Sequence, residues 1–544
     1  RHFPAPLVES NGIYIQKSDP IYQISPSAYG RSHFFAPYKH VGIMLVETYW
    51  FNVIVLLSMV LFFYFLFIII SSIKSSKQVE SLSDFTTGGH RMGLKLGVGT
   101  TLATWLSVAS IMGVPGNLYR TGFAAIYGWV VGWFVATALM PILAYKVRMP
   151  AMPTRTFPEF MRLRYEPYEK NSKMQLLIAV LMLIGYFVFA HLQVVGFGIV
   201  FSTITGLKYE ISIFFFLAVL LFTSFGGFWS VAATDTLNAV LIFVGVVVAA
   251  GVVLSNAGGW SNIMSTISTT TAPIYEGGAA LESGIMISPF GAFGASALLS
   301  IFLSNALGAS VAPHWITRFM APKNAKAAVL QMTISLLLLT AIFVPLIIIG
   351  LGSKVLLPSL PVGNTTDYLF PMIITQYAPP VIGALALVGI CAAAVSTANS
   401  MLLNCGTSLV YDIKRMIFSS ETQTVQDDNK TTSQLRIVIF ILGALSVVSA
   451  IKPPVLLAMG FTYIYGGFGS AFFWPVWFGL YWKRMNRAGA YLSIIVGLSG
   501  YLYATITKMA FPAFLVGAGL SLIACLIGVY ATKKPPLEAY EAFF

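Results

Sequence analysis

The sequence predicts an all-α polytopic membrane protein, and three observations predict it. Of 544 residues, 57% are hydrophobic and only 9% charged, where an ordinary soluble domain carries about 25% charged residues. Apolar windows of about 20 residues, the length that crosses a hydrocarbon core, recur through nearly the whole chain after Trp50. The Lys and Arg residues sit between these windows, 23 of the 32 on one side and 9 on the other. That asymmetry is the positive-inside bias; it orients the chain N-out and C-in. It also explains the net charge of +13 with no nucleic-acid partner.

Thirteen spans follow in order: 46–73, 94–117, 122–145, 175–200, 208–229, 235–255, 291–313, 328–353, 379–411, 436–452, 456–481, 488–507 and 511–531. Every Lys and Arg is assigned to a loop, Arg318 to the loop at 318–326. Residues 1–45 read as a polar, aromatic extracytoplasmic segment, a candidate contact for a membrane partner. It begins at Arg1 rather than Met, which a removed signal peptide or a trimmed chain would each explain. Residues 532–544 read as a cytoplasmic tail. Cys391, Cys405 and Cys525 fall inside spans, so they read as packing residues and not as a disulfide framework. No Walker loop, Cys/His metal spacing or nucleophile elbow occurs, so the chain reads as a non-enzyme that does not hydrolyse ATP.

Two spans are rich in small and helix-breaking residues where a plain anchor would carry Leu and Ile. They are "LATWLSVASIMGVPG", residues 102–116, and "SALLSIFLSNALGASVAPH", residues 296–314. Irregular backbone at membrane depth is tolerated only where it is buried or lines a cavity. Helices broken near the midplane in two repeats are where transporters hold ions and substrate. The spacing predicts a leading helix at 46–73, a first repeat at 94–255, a second at 291–452 and accessory helices at 456–531. Five helices in each repeat make the second run inverted. Close helix packing also uses small residues, and that alternative stays open at this point.

In "AAAVSTANS", Ala393, Ser396, Thr397 and Ser400 stand at i, i+3, i+4 and i+7, on one helix face. Hydroxyls and a carbonyl can replace the water of a sodium ion without burying a full charge. The competing reading is that Ser and Thr bond only to their own helix. Asp235 is a carboxylate inside a span, either a coupling acid or a cap at a helix N terminus. Thr234 stands beside it as a further oxygen. His191 is the other titratable group expected to be buried, either packing or a proton relay. "PHWITR", residues 313–318, reads as the cytoplasmic end of a span, with Pro313 stopping or kinking the helix and His314 and Arg318 gating or anchoring it.

The blocks "SDFTTGGHRMG", "TWLSVASIMGVPGNLYRTG", "TFPEFMRLRY", "FGGFWSVAATDTLNAVLIFVG", "APHWITRFMAPKNAKAA", "AAVSTANSMLLNCGTSLVYDI" and "GLYWKRMNRAGAYLSIIVG" resemble, in order, the signature blocks of the sodium:solute symporter family. The resemblance runs from Asp84 to Tyr530. "FGGF", "GGWSN", "KPP" and Trp105 are most similar to the sodium/pantothenate subgroup, while "PHWITR" and "VSTANS" also resemble proline symporters. Asn238 and the long N-terminal segment depart from the pantothenate pattern. The family resemblance implies a LeuT-type 5+5 inverted-repeat core in the cell (inner) membrane. It implies a sodium site formed by the carbonyls of Ala103, Leu106 and Ala393 with the hydroxyls of Ser396 and Thr397. Asp235 matches the acid of a second sodium site present in some members. Trp105, Ser107 and Ser110 match functional first-helix positions, and Gln193, Ser304, Asn305, Thr462 and Tyr463 complete the expected substrate set.

The expected function is sodium-coupled uptake of a small organic solute, pantothenate or another small carboxylate, by alternating access. Sodium is the coupling ion, with no organic cofactor. Proton-coupled transport of a monocarboxylate or an amino acid such as proline, through Asp235 and His191, is the first alternative. A transporter-like module of a sensor or complex is the second, although the tail after Tyr530 is too short for a kinase domain. A passive channel is the third.

Overall fold

Backbone groups inside a bilayer must be bonded within their own segment, so a chain this apolar is driven to helices. The computed structural model describes residues 43–149, 154–169, 171–223, 226–414, 417, 425–452 and 457–544. Residues 1–42 of the expected N-terminal segment, and the partner contact expected there, lie outside the described residues. Ten described helices are long and apolar enough to cross a membrane, or eleven with one bent pair. Two expected spans correspond to helices outside that set. Tyr209–Thr223 has a short apolar stretch, and Leu457–Tyr481 is diluted by Gly460, Gly466, Gly467, Gly469 and Gly479.

In chain order the main helices are α1 (Ile43–Ser76), α2 (Leu94–Trp105), α3 (Val114–Thr121), α4 (Gly132–Arg148), α5 (Phe157–Tyr165), α6 (Lys173–Thr205), α7 (Tyr209–Thr223) and α8 (Gly227–Asn256). They continue as α9 (Ala295–Leu303), α10 (Pro313–Met320), α11 (Ala325–Leu356), α12 (Pro380–Thr407), α13 (Val425–Ser449), α14 (Leu457–Tyr481), α15 (Arg487–Ile506) and α16 (Ala513–Ala531). Four of them start on a side-chain cap, Thr156, Ser172, Asn324 and Asn486. Ser172 accepts from the Gln175 amide at the start of α6, and Asn324 accepts from Ala327 at the start of α11. Such caps satisfy backbone donors that the helix itself leaves open.

α12 is the axis of the molecule: α8 and α6 pack along it, α2 leans on it, and its residues from Ala386 to Thr407 are buried. α1 joins through Tyr64, whose hydroxyl donates to Asn238 at 3.1 Å. α14, expected as an accessory helix, packs against both irregular segments of the core, Ala109–Gly113 and Ser304–Gly308. Gly308 makes that approach possible, since a β-carbon there would sit 2.0 Å from the Tyr465 carbonyl oxygen. The tail folds back on the basic face, where Lys146 donates to the Phe543 carbonyl at 3.1 Å and Arg164 to that of Ala539 at 3.4 Å.

One expectation is corrected here and one holds. "PHWITR" lies at the end of the apolar span Ala295–Met320, and the helical path breaks just before Pro313, the first residue of α10, where its missing amide costs nothing. Arg318, assigned to a loop, is 1% exposed inside the bundle. The three cysteines are buried and free, as packing residues.

Candidate functional site

α2 stops at Trp105 because Leu106 leaves helical geometry, at φ −80° and ψ 67°, and the chain bends by 50° before continuing toward α3. A bend in a buried helix frees carbonyls and amides that need partners. The expected residues supply most of them. Ser396 Oγ donates to the Ala103 carbonyl at 3.0 Å and to the Ala393 carbonyl at 3.1 Å. Thr397 Oγ1 lies 3.5 Å from the Ala103 oxygen and 3.4 Å from that of Thr104. Ser110 Oγ donates to the Trp105 carbonyl at 2.8 Å. Gln193 Oε1 accepts from the Val108 amide at 3.3 Å. Leu106 and Ser107 are the non-helical residues of the bend itself, both buried.

Ala103, Ala393, Ser396 and Thr397 therefore bring neutral oxygens of α2 and α12 within hydrogen-bond distance, each residue fully buried. Neutral oxygens in a dry pocket are a donor set for a hard monovalent cation. Among the described residues no group of three His, Cys, Asp or Glu could hold a metal ion.

One turn further along α12, Ser400 belongs to a second cluster. Asp235 is wholly buried and more than two turns into α8, which overturns the capping alternative. Its Oδ2 accepts from Thr100 Oγ1 at 2.6 Å and lies 3.8 Å from Arg318 Nη2. Arg318 Nη2 also donates to Thr104 Oγ1, to Thr100 Oγ1 at 3.2 Å and to Ser400 Oγ at 2.8 Å. Thr234 is turned to its own helix, bonding the carbonyls of Ser230 and Val231.

A third cluster is aromatic. Trp105 packs on Trp315 at 4.9 Å and meets Trp133 edge-on at 6.2 Å. Trp133 Nε1 donates to Asn305 Oδ1 at 2.8 Å, Trp129 Nε1 to Thr462 Oγ1 at 3.0 Å, and Ser304 Oγ to the Thr462 carbonyl at 3.0 Å. Trp105, Ser304, Asn305 and Thr462 are thus linked through two tryptophans, while Gln193 joins at the α2 bend. Tyr463 is 44% exposed and faces away from this cluster. His191 is bonded to Ser449 at 2.8 Å and lies in none of the three clusters.

Sequence reasoning missed Thr100, Thr104, Trp129, Trp133 and Trp315, and it put Arg318 in a loop rather than beside Asp235. The i, i+4 spacing of Thr100 with Thr104 and of Trp129 with Trp133 was the available signal.

The profile of the sodium:solute symporter family matches residues 85–497. The chain belongs to that family. It is 26% identical over 497 residues to the sodium/pantothenate symporter of Haemophilus influenzae, across 88% of this chain and 96% of that one. It is 26% identical over 447 residues to a sodium/proline symporter of Staphylococcus aureus, across 80% and 83%. A solved Na+-coupled sialic acid symporter, substrate-bound and outward-open, shares the fold with a TM-score of 0.72 at 20% identity, over 88% of this chain and 98% of that one. The chain is a sodium-coupled transporter, not an enzyme, and a multi-pass protein of the cell membrane. In this symporter a small cavity adjoins the Arg318 cluster, lined by Arg155, Thr317, Arg318, Ser400 and Asn404 and by the apolar Phe228, Val231 and Leu403, among others. Ser396, Ser400, Asn404 and Thr407 continue one polar stripe of α12 toward it.

Proposed function

We propose that this symporter imports a small carboxylate-bearing solute, pantothenate being the first candidate, by alternating access coupled to sodium at Ala103, Leu106, Ala393, Ser396 and Thr397. The observation that carries the reading is the meeting of the Ser396 and Thr397 hydroxyls with the carbonyls freed at the α2 bend. A cation held there ties α2 to α12, and because the bend also orients Trp105, Ser110 and Gln193, it shapes the solute pocket. Coupling of this kind is reciprocal and typically worth about 1–3 kcal/mol. The membrane potential adds about 2.3 kcal/mol per charge per 100 mV.

The substrate class is supported by donors and by relatives. Gln193 Nε2 and Trp315 Nε1 are buried with no protein partner among the described residues, and a carboxylate would accept from such groups. Two relatives, a pantothenate and a proline symporter, are named for solutes that carry one. The architecture proposed with this is thirteen spans, N-out and C-in, with inverted repeats at 94–255 and 291–452. The cavity beside Arg318 then opens on the cytoplasmic side.

Screening small carboxylates, amino acids, sugars and vitamins by thermal shift, with sodium or with choline, tests the reading, since a ligand of the folded state raises apparent stability. A carboxylate that stabilises only with sodium is the expected result. Uptake into proteoliposomes driven by a pH gradient in sodium-free buffer would favour the proton-coupled alternative instead.

A further inference from the structure

We infer that residues 537–544 form a strap that holds α5 across the cytoplasmic mouth of the cavity beside Arg318, and that the symporter opens inward faster once the strap is released. The inference rests on the alternating-access reading, in which that cavity opens on the cytoplasmic side, and adds the segment that restrains the opening.

Two side chains of the strap are core residues: Ala539 is 2% exposed and Phe543 1%. Phe543 meets Phe160 of α5 edge-on at 5.5 Å and lies 6.0 Å from the Arg164 guanidinium. Arg164 is buried as well. It donates to the carbonyls of Ala539 at 3.4 Å, Gly479 at 2.6 Å and Met485 at 3.2 Å, so one guanidinium pins α5 to the strap and to the end of α14. From the other side, Lys146 of α4 donates to the Phe543 carbonyl at 3.1 Å and sits 5.0 Å over the Phe544 ring. A buried aromatic ring is among the costliest side chains to return to water.

The opposite end of α5 reaches the cavity. Arg155 and Thr156, directly before it, line the cavity together with Asn404 and Thr407 of α12. Thr156 caps α5 and donates to Asp412 Oδ1 at 2.7 Å, while Tyr411 donates to Glu159 Oε1 at 2.9 Å. With nine residues, α5 is a rod about 14 Å long. Its start is tied to the end of the helix that carries Ser396 and Thr397, and its end to the strap. Widening the mouth between Thr156 and Thr407 displaces this rod and draws Phe160 and Arg164 away from Phe543 and Ala539. The strap therefore opposes the inward-open state, and a state's population falls with whatever free energy opposes it.

The test is the rate at which a hydrophilic maleimide labels Thr407→Cys in nanodiscs, in a full-length chain carrying Cys391→Ala, Cys405→Ala and Cys525→Ala. Deleting residues 537–544, or Phe543→Ala alone, is expected to speed labelling at least about tenfold. A synthetic peptide of residues 535–544 should slow labelling of the deleted chain again, and the same peptide with Phe543→Ala should not. That rescue separates a strap from general loosening, which a peptide would not reverse. Labelling at the unaltered rate in both tail variants overturns the inference, as does an acceleration that the peptide leaves unchanged. Should the deleted chain not fold, Phe543→Leu decides: it keeps an apolar plug and must label more slowly than Phe543→Ala. Sodium is expected to slow labelling in all of these chains. Labelling indifferent to sodium overturns the alternating-access reading, while the comparison between tails still decides the strap.

Discussion

Asp235 and Arg318 are opposite charges held out of water, so removing one leaves the other uncompensated. Arg318→Ala should lower stability by about 3–5 kcal/mol, the usual cost of breaking a buried pair. The neutral pair Asp235→Asn and Arg318→Gln should recover most of the loss, and thermal denaturation in detergent compares them. Neither partner's role was legible in its own neighbourhood of the sequence. Asp235 was visible as an acid in an apolar run, but Arg318 follows the last residue of a small-residue stretch and reads as the first charge of a loop. Its hydroxyl partners stand 82 to 218 residues away. A second buried acid gives a pH signature. Asp367 lies outside the membrane spans and accepts from the Leu457 amide at 3.1 Å, and burial raises its carboxyl from 3.8 to about 7, against the pull of that hydrogen bond. The folded chain therefore binds this proton more tightly than the unfolded one. The associated stability is present below pH 3.8 and is lost as pH rises through about 7. Asp367→Asn should flatten that part of the stability profile between pH 4 and 7, and an unchanged slope would contradict the assignment.

Among the elements, the two irregular helices carry the candidate site. The first was legible as "LATWLSVASIMGVPG", and the bend falls within it at Leu106 and Ser107. The second is less simple than its small residues suggested. A wide turn spans Ser304–Gly308, and the helical path is interrupted only at Ala312, with φ −59° and ψ 130°. Small residues state that backbones approach closely, yet they do not say which backbone arrives. Here it is α14, which directly follows the second expected repeat and packs on both irregular segments. Gly308→Ala would press a methyl group against the Tyr465 carbonyl. It should cost at least about 1–3 kcal/mol, the range for overpacking, whereas Gly519→Ala, with open space around it on α16, should be nearly neutral. Equal losses in the two variants, read by thermal denaturation, would contradict the packing account.

For the whole molecule, apolar windows and ordered signature blocks made the helical membrane fold and the family legible. The face of α12 that carries Ser396, Thr397 and Ser400 was legible from spacing alone. Its division between two clusters was not, because one turn separates a hydroxyl that meets a bent carbonyl from one that meets a guanidinium. The proposed function turns on Ser396 and Thr397 holding the coupling ion against the freed carbonyls of α2. The most direct test compares purified wild type with the pair Ser396→Ala and Thr397→Ala by thermal shift in sodium against choline at equal ionic strength. A sodium-specific rise is expected for the wild type, about 2.7 kcal/mol at one hundred times the dissociation constant, and none for the double variant. A double variant that folds and keeps the full sodium-specific rise would contradict it.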